Sequence, residues 1–419
     1  MNDTTKSTAA LSLPATIVST LLMFVMLSFF FTFNSSGIYK PAAWILVASC
    51  TALFAVMSYT GKIGTYRRVF FVAGALLFFP SFIAILLETR GSMFLTDKDV
   101  FLNETPFCHI VLPMTVIPYL LKGVLIFPAR LTGHYAAMYS MLVIWLAATL
   151  TIGRGWCSWA CFYGGWDEGA AALPRTARLR IVDKDKKIRY FNFAILGFVV
   201  LGALATFTAV YCTWLCPFKM ITEYAEVKDF SGMITFVVFT LTFFGFAIIL
   251  PILTKKRVQC MSFCPFGAFQ SLADKVSPYR VRIDPDKCTK CNACVRACPT
   301  LSLHEDDIAA GTGKTLITCT KCGVCIQACP SGAIRYEFAW KGCRSDGGPL
   351  ARWSAKLSEG TGLARVLGKI LAVVDELASP KALMPFSGFM FGSVLMGGFA
   401  TGTIGRFLNL IVNGSFLMP

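Results

Sequence analysis

The feature that most constrains this chain is a pair of tandem cysteine runs between Cys288 and Pro330. Each run has the spacing C-x2-C-x2-C-x3-C-P, and twenty residues lie between Cys298 and Cys319. The short x2 steps let the chain wrap around one iron-sulfur cube, and the longer step turns the fourth cysteine toward a neighbouring cube. The runs therefore predict two [4Fe-4S] clusters with crossed ligation. One set is Cys288, Cys291, Cys294 and Cys329, and the other is Cys298, Cys319, Cys322 and Cys325.

Zinc is the main alternative for these cysteines, because C-x2-C pairs also bind it. A zinc site needs four ligands from two pairs, however, and not this triplet plus Cys-Pro repeated twice. Short alternating apolar stretches flank the runs at Arg280–Asp284 and Ala333–Phe338, and each predicts a small strand. We therefore expect residues 278–340 to form a small α+β two-cluster bacterial ferredoxin domain.

The composition of the whole chain is too apolar for a soluble protein. Of 419 residues, 55% are hydrophobic and only 15% are charged, which indicates a mainly α-helical membrane protein. The net charge of +16 suits basic loops on the inner side of a membrane and the attraction of acidic partners. Nucleic acid is disfavoured, because the basic residues are spread along loops without a recognition motif. Most of the 17 cysteines fall in ordered groups, which favours metal ligation in a reducing compartment over disulfides.

Apolar runs of about twenty residues predict six membrane-spanning helices. The basic loops 60–68 and 153–189 mark the cytoplasmic side under the positive-inside rule, and Lys255–Arg257 places the ferredoxin domain on that side as well. If Phe107–Phe127 crossed the bilayer, the two basic loops would lie on opposite sides. We therefore expect this proline-containing segment to be re-entrant from the outer face. The six predicted spans are Leu11–Phe33, Ala42–Tyr59, Val69–Leu87, His134–Ile152, Phe191–Tyr211 and Gly232–Leu253.

This pattern divides the chain into four regions. Residues 1–133 form an N-terminal membrane region, residues 134–277 a membrane core, residues 278–340 the ferredoxin domain, and residues 341–419 an amphipathic and apolar C-terminal region. In the last region Leu383–Val412 is a seventh spanning helix or a docking tail. Small residues four apart, such as Gly388 and Gly392, favour close packing there.

Three C-x3-C pairs lie where predicted helices leave the membrane. If each pair occupies one helical turn, both of its sulfurs point the same way, so two pairs can form a four-thiolate site. The first and third pairs are expected on the inner face, where together they would hold a third metal centre, either a [4Fe-4S] cluster or Cu(I). The second pair is expected on the outer side as a disulfide, a redox-active dithiol or a copper site. The alternative is that these cysteines are buried small hydrophobes, which three equal spacings disfavour. The third-centre candidates are Cys157, Cys161, Cys260 and Cys264, and the outer pair is Cys212 and Cys216.

The sequences W-C-S-W-A-C, C-T-W-L-C-P-F and C-M-S-F-C-P-F-G-A-F ahead of the tandem runs resemble the membrane-bound polyferredoxins of the NapH and NosR type, which are related to the copper-handling CcoG type. The resemblance covers about residues 134–340. It implies electron transfer through iron-sulfur clusters in the bacterial inner membrane, between a quinone pool or cytoplasmic donor and a redox partner. Phe162 stands where the family usually has proline after the pair.

The expected function is thus that of an electron-transfer oxidoreductase subunit in a multi-subunit complex, in which the clusters carry the chemistry. A metal-maturation factor that reduces copper or delivers it to a membrane enzyme is the alternative. His109 and His134, both expected near the outer face, are candidates for haem, copper or quinone chemistry, or are polar groups satisfied locally. Lys290 and Lys321 each neighbour a cluster cysteine, and are expected to be solvated or to steer an acidic donor.

Overall fold

The fold described here is a computed structural model of the 419-residue chain. It is mostly helical, and it describes residues 9–33, 35–90, 109–123, 129–130, 135–136, 138–179, 190–216, 230–339, 349–358 and 362–417. The prediction for His134 lies outside these residues.

The first three helices are consecutive apolar segments joined by short turns. The Ser12 hydroxyl accepts a hydrogen bond from the Ala15 backbone N–H and caps the first helix. Gly61 has a φ of 67° and ends the second helix, so that the third begins two residues later. Helix α1 spans Leu13–Thr32, α2 spans Tyr39–Thr60 and α3 spans Ile63–Arg90.

The middle of the chain consists of shorter helices joined by turns. Two-residue strands β1, Ala129–Arg130, and β2, Tyr135–Ala136, pair antiparallel within it. The helices are α4, Leu112–Lys122; α5, Met138–Thr151; α6, Trp156–Trp159; α7, Phe162–Ala172; α8, Phe191–Thr206; α9, Val210–Trp214; α10, Phe230–Thr242; α11, Leu250–Thr254; and α12, Pro265–Ala273. Single 3-10 turns lie at His109–Val111, Gly153–Gly155 and Asp274–Val276, and π-helical turns at Phe243–Ile249 and Gln259–Phe263.

Helix α7 shows how a segment enters the bundle and returns. Its first residue, Phe162, stacks on Phe78 of α3 with ring centroids 4.1 Å apart. Phe78 lies 15 residues after Ile63, about 22 Å along the helix axis at about 1.5 Å per residue. Further along α7, Glu168 pairs with Arg67, close to the start of α3. Helix α7 therefore begins deep in the bundle and runs back toward the first residues of α3.

The ferredoxin unit lies against that same end of the bundle. Strands β3, Tyr279–Ile283, and β4, Ile334–Phe338, pair antiparallel in the register Val281 with Tyr336. Three short helices, α13 (Ala293–Ala297), α14 (Glu305–Ala309) and α15 (Val324–Ala328), lie between the strands.

The C-terminal region ends in a long helix that packs across the bundle. Helices α16, Pro349–Ser358, and α17, Leu363–Leu377, pack on each other, and the Ser12 backbone N–H donates to Glu376 Oε1 over 3.1 Å. Helix α18, Pro380–Asn413, packs against α2 and α3. Gly388 and Gly392 pack closely, as expected, and their contact is Trp159 of the first cysteine loop, residues 154–164.

Five helices among the described residues are long and apolar enough to cross a membrane. Four of them correspond to the predicted spans in α1, α2, α3 and the segment Gly232–Thr254, and the fifth is α18. The remaining two predicted spans contain shorter helices, and residues 134 and 137 of the first span lie outside the described residues. Helices α5 and α8 have 14 and 16 residues, or about 21 and 24 Å, against the roughly 30 Å of a bilayer core. Helix α8 ends at Thr206 because Phe207 adopts a φ of 52°. The proposed re-entrant segment contains the short buried helix α4, and its two ends lie outside the described residues.

Candidate metal centres

The eight tandem cysteines line two separate cavities in the ferredoxin unit. One cavity is lined by Cys288, Cys291, Cys294 and Cys329. The other is lined by Cys298, Cys319, Cys322 and Cys325. Each cavity thus receives three cysteines from one run and the fourth from the other, which is the crossed set that the spacing predicts.

The backbone around both cavities has the same local form. Lys290 and Asn292 in the first run, and Lys321 and Gly323 in the second, have φ between 52° and 75°. Alternation of left-handed and ordinary residues turns successive N–H groups toward one centre, a concavity that binds anions and many iron-sulfur groups. A short helix follows at the same position in each run, which carries the fourth cysteine away toward the other cavity.

The two cavities differ in their access to solvent. Cys291 is exposed, whereas Cys322 and Cys325 are buried against the bundle. Hydrogen bonds from backbone N–H groups, chiefly that of Ala293, lower the pKa of the Cys291 thiol. Burial instead raises the pKa of Cys319 to about 12. The first cavity therefore faces outward, and the second faces the bundle.

Lys321 is not a solvated side chain, contrary to the sequence-based expectation. It is 2% exposed, and its Nζ lies 2.7 Å from Asp274 Oδ1 and 2.7 Å from Ser277 Oγ. Burial lowers the pKa of Lys321 more than the Asp274 carboxylate raises it. The ion pair joins the second cluster run to the end of α12. Sequence alone could not find it, because the two residues are 47 positions apart.

The first and third C-x3-C pairs come together inside the bundle. The Cys161 thiol lies near that of Cys264, and the Cys260 thiol lies near that of Cys161. The Cys264 thiol also lies near that of Cys157. The pairs do not lie on regular α-helical turns as expected. The second cysteine of each pair is extended, with φ −82° and ψ 113° at Cys161 and φ −82° and ψ 112° at Cys264.

These two loops share a longer pattern, R-x2-C-x3-C-x2-G, at residues 154–164 and 257–267. Each glycine lies against a carbonyl oxygen of its own loop and the arginine of the opposite loop. A Cβ on Gly164 would lie 2.5 Å from the Cys157 carbonyl oxygen and 2.4 Å from Arg257 Nη2. A Cβ on Gly267 would lie 3.1 Å from the Cys260 carbonyl oxygen and 3.8 Å from Arg154 Nη2. The two loops therefore pack against each other in equivalent ways, and the repeated spacing of arginine, cysteines and glycine is the sequence signal for this packing. The second pair, Cys212 and Cys216, lacks both the arginine and the glycine.

Two buried arginines, Arg154 and Arg257, lie beside these four thiols and indicate whether the site suits an anionic group. Arg257 is fully buried, and its Nη2 lies 3.2 Å from Cys260 Sγ. Arg154 is 2% exposed and interacts with the charge of Cys157. Among the described residues, none accepts a hydrogen bond from the Nε–H of either arginine. Glu168 lies 3.6 Å from Arg257 but also pairs with Arg67 and Arg68, so this one carboxylate does not offset all of the buried positive charge around it. Buried cations require a counter-charge, and four thiolates around an iron-sulfur cluster would add to it. The donor set therefore fits a [4Fe-4S] group.

A single metal ion fits less well. In the described ranges, no three His, Cys, Asp or Glu side chains converge tightly enough to bind one ion. Four thiolate sulfurs that bind one tetrahedral zinc ion each lie about 2.3 Å from it, so they would have to converge in this way. The tandem cysteines are not grouped that tightly either.

The second pair lies nearer to the other two than predicted. Cys216 belongs to the same apolar cluster as Cys157 and Cys161, and its Sγ lies 3.5 Å from the Tyr163 hydroxyl. The Tyr211 side chain is close to Cys212, Cys216 and Cys264. His109, expected at the outer face, has its Nε2 3.1 Å from Cys161 Sγ. Groups expected on opposite faces thus meet inside the bundle, because the cysteine loop penetrates it.

Direct contacts connect the ferredoxin unit to the cysteine loops. The Trp159 indole, between Cys157 and Cys161, donates to the Lys321 carbonyl oxygen over 3.3 Å. The Arg257 backbone N–H donates to the Pro299 carbonyl oxygen over 2.8 Å. The ferredoxin unit and the two cysteine loops are therefore in direct contact.

Family models match the regions that carry these cysteines. A 4Fe-4S dicluster domain matches residues 280–330, which contain all eight tandem cysteines. A 4Fe-4S binding domain matches three segments, 135–180, 188–232 and 236–283, each of which contains one C-x3-C pair. The chain carries ferredoxin-type 4Fe-4S domains. These domains support iron-sulfur clusters as its cofactors.

Curated relatives are distant and match part of the chain. "Putative electron transport protein YccM" of Escherichia coli is 23% identical over 176 residues, 41% of this chain and 48% of that protein. An uncharacterised protein of Methanocaldococcus jannaschii is 26% identical over 181 residues, 40% of this chain and 68% of that protein. A ferredoxin of Alicyclobacillus acidocaldarius is 29% identical over 72 residues, 17% of this chain and 86% of that protein. The chain thus matches about half the length of the first of these relatives, and no solved structure gives a significant match.

Proposed function

We propose that this protein relays single electrons from the exposed ferredoxin cavity, through the buried one, to the four-thiol site inside the helical bundle. The observation that carries the proposal is the serial order of the three cysteine sets. The first set is open to solvent at Cys291, the second is buried against the bundle, and the third begins behind Trp159.

The depth of the third set supports transfer into a membrane. Cys161 precedes Phe162, which stacks on Phe78 about 22 Å along α3 from the ferredoxin-facing end. A bilayer core is about 30 Å thick. An electron that reaches Cys161 has therefore entered a helical bundle of membrane dimensions.

The chain's own residues bind and tune the redox groups. Bound [4Fe-4S] clusters would supply the one-electron chemistry. The left-handed backbone positions direct N–H groups at the ferredoxin sites, and Arg154 and Arg257 supply positive charge at the third. We place the protein in a bacterial inner membrane with the ferredoxin unit in the cytoplasm. It would exchange electrons with a soluble donor or the quinone pool and with further subunits.

The test is the iron content of the purified full chain, combined with electron paramagnetic resonance after dithionite reduction. Three cubes correspond to about twelve irons per chain and two to about eight. We expect Cys161→Ser and Cys264→Ser each to lower the iron content by about four and to leave two ferredoxin signals intact. Cys50→Ser, a buried thiol in α2, is the matched control and should keep about twelve.

About eight irons in the unaltered protein would refute the third centre but keep the ferredoxin relay. Zinc in place of iron in anaerobic preparations would refute the proposal as a whole.

A metal-maturation function is the second candidate, and the position of Cys212 and Cys216 favours keeping it. The pair lies beside the third thiol site, through Tyr163 and Tyr211, yet lacks the arginine and glycine of the other two loops. Cys212→Ser with Cys216→Ser distinguishes the functions. Loss of bound copper with unchanged iron would support maturation, whereas loss of iron would make the pair part of the cluster relay.

A further inference from the structure

The two arginines of the repeated pattern occupy equivalent positions in sequence but have different surroundings. Arg257 faces groups of the bundle. Its Nη1 donates to Ser158 Oγ over 2.8 Å, and it lies 3.6 Å from Glu168 Oε2. The cysteines whose charges affect it most are Cys260 and Cys157, both in the third thiol set.

Arg154 lies between the bundle and the ferredoxin unit. Its backbone N–H donates to Asp274 Oδ1 over 2.6 Å, and its guanidinium contacts Ser271 Oγ. On the other side Nη1 lies 3.5 Å from the carbonyl oxygen of Ile317, two residues before Cys319. Arg154 lies near enough to interact electrostatically with Cys157 and Cys260 of the third set, with the Asp274 carboxylate, and with Cys319 of the buried ferredoxin set.

We propose that Arg154 is a positioning residue shared by two neighbouring redox sites, and that its charge favours the reduced form of both. Each reduction adds one negative charge to a buried site, and a nearby cation stabilises that charge strongly where the dielectric constant is low. One cation between two sites also offsets the repulsion that an electron on one site exerts on an electron at the other. Arg257, by contrast, would act on the third site alone. The inference rests on the proposed third cluster.

The test is an anaerobic redox titration of the full iron-loaded chain, in detergent or nanodiscs, followed by electron paramagnetic resonance. We expect Arg154→Gln to make reduction at least tenfold less favourable at both the third site and the buried ferredoxin site. Tenfold corresponds to about 59 mV for one electron. Arg154→Lys, which keeps the charge, should shift neither by more than about threefold. Arg257→Gln should lower the potential of the third site only, and the exposed ferredoxin site is the internal reference in every variant.

A shift confined to the third site, or no shift in Arg154→Gln, would overturn the shared role. An equal shift in Arg154→Lys would show that shape and not charge is responsible, and would overturn it as well. If Arg154→Gln loses the third cluster, the buried ferredoxin site still tests the proposal, because the proposal requires its reduction potential to fall. Failure of the proposed function has a different signature, namely about eight irons in the unaltered protein.

Discussion

At the scale of single residues, the third thiol site depends on side chains from two loops that are far apart in the sequence. The pattern R-x2-C-x3-C-x2-G occurs twice, 103 residues apart from Arg154 to Arg257. The cysteines were predictable because thiol pairs at fixed spacing are rare outside redox and metal sites. The roles of Arg257 and Gly164 were not, because each acts on the opposite loop.

Gly164→Ala tests this cross-loop packing. The added methyl group would lie 2.5 Å from the Cys157 carbonyl oxygen and 2.4 Å from Arg257 Nη2, so backbone must shift. We expect a loss of about 1–3 kcal/mol in the free energy of unfolding and a reduced iron content. Gly197→Ala is the control, because its Cβ meets nothing within 4 Å in helix α8. It should be neutral or stabilising by up to about 1 kcal/mol. Equal thermal shifts in the two variants would argue against tight packing at Gly164.

At the scale of elements, length and hydropathy predicted the first three helices. The runs behind α1, α2 and α3 form helices of 20, 22 and 28 residues, and α3 continues through Pro80. The run Leu383–Val412, which the sequence left open as a helix or a docking tail, lies within the 34-residue helix α18. Helix α8 ends early because Phe207 adopts a left-handed conformation. Phenylalanine rarely adopts this conformation, so the sequence does not predict the end of the helix. The return of α7 toward the start of α3 depends on contacts such as Phe162 with Phe78, which no local pattern contains.

Helix α18 offers a matched pair of substitutions on one element. A Cβ on Gly392 would lie 2.2 Å from the Trp159 carbonyl oxygen, whereas a Cβ on Gly398 meets nothing within 4 Å. We expect Gly392→Ala to separate α18 from the first cysteine loop and to cost about 1–3 kcal/mol. Gly398→Ala should leave the melting temperature and the iron content unchanged. Loss of iron from Gly398→Ala but not from Gly392→Ala would contradict the packing described.

At the scale of the whole molecule, the ferredoxin unit is held on the bundle by polar contacts as well as by apolar ones. Gln327 exchanges hydrogen bonds with Thr65 at the start of α3, with Nε2 to Oγ1 at 2.8 Å. Lys256 Nζ donates to the Cys298 carbonyl oxygen over 3.0 Å. The buried Lys321–Asp274 ion pair lies at the centre of this interface.

Removal of the Asp274 carboxylate should weaken the junction more than loss of an exposed contact. Asp274→Ala leaves Lys321 buried without its counter-ion, a change that costs about 3–5 kcal/mol. Gln327→Ala removes exposed hydrogen bonds worth about 0.5–1.5 kcal/mol each. Hydrogen exchange of the full chain should therefore quicken at residues 319–323 in Asp274→Ala and change little in Gln327→Ala. Unaltered exchange in Asp274→Ala would show that other contacts hold the ferredoxin unit on the bundle.

The contact of α18 with Trp159 sets an order of events during biosynthesis. Gly392 follows Cys161 by 231 residues, and a ribosome adding about 5–20 residues per second needs roughly 12–46 s to reach it. During that interval the first cysteine loop has left the ribosome while the helix that covers it does not yet exist. Iron delivery to the proposed third site would therefore either wait for translation to finish or use that brief opening, and a chain cut short before Pro380 would leave this loop uncovered.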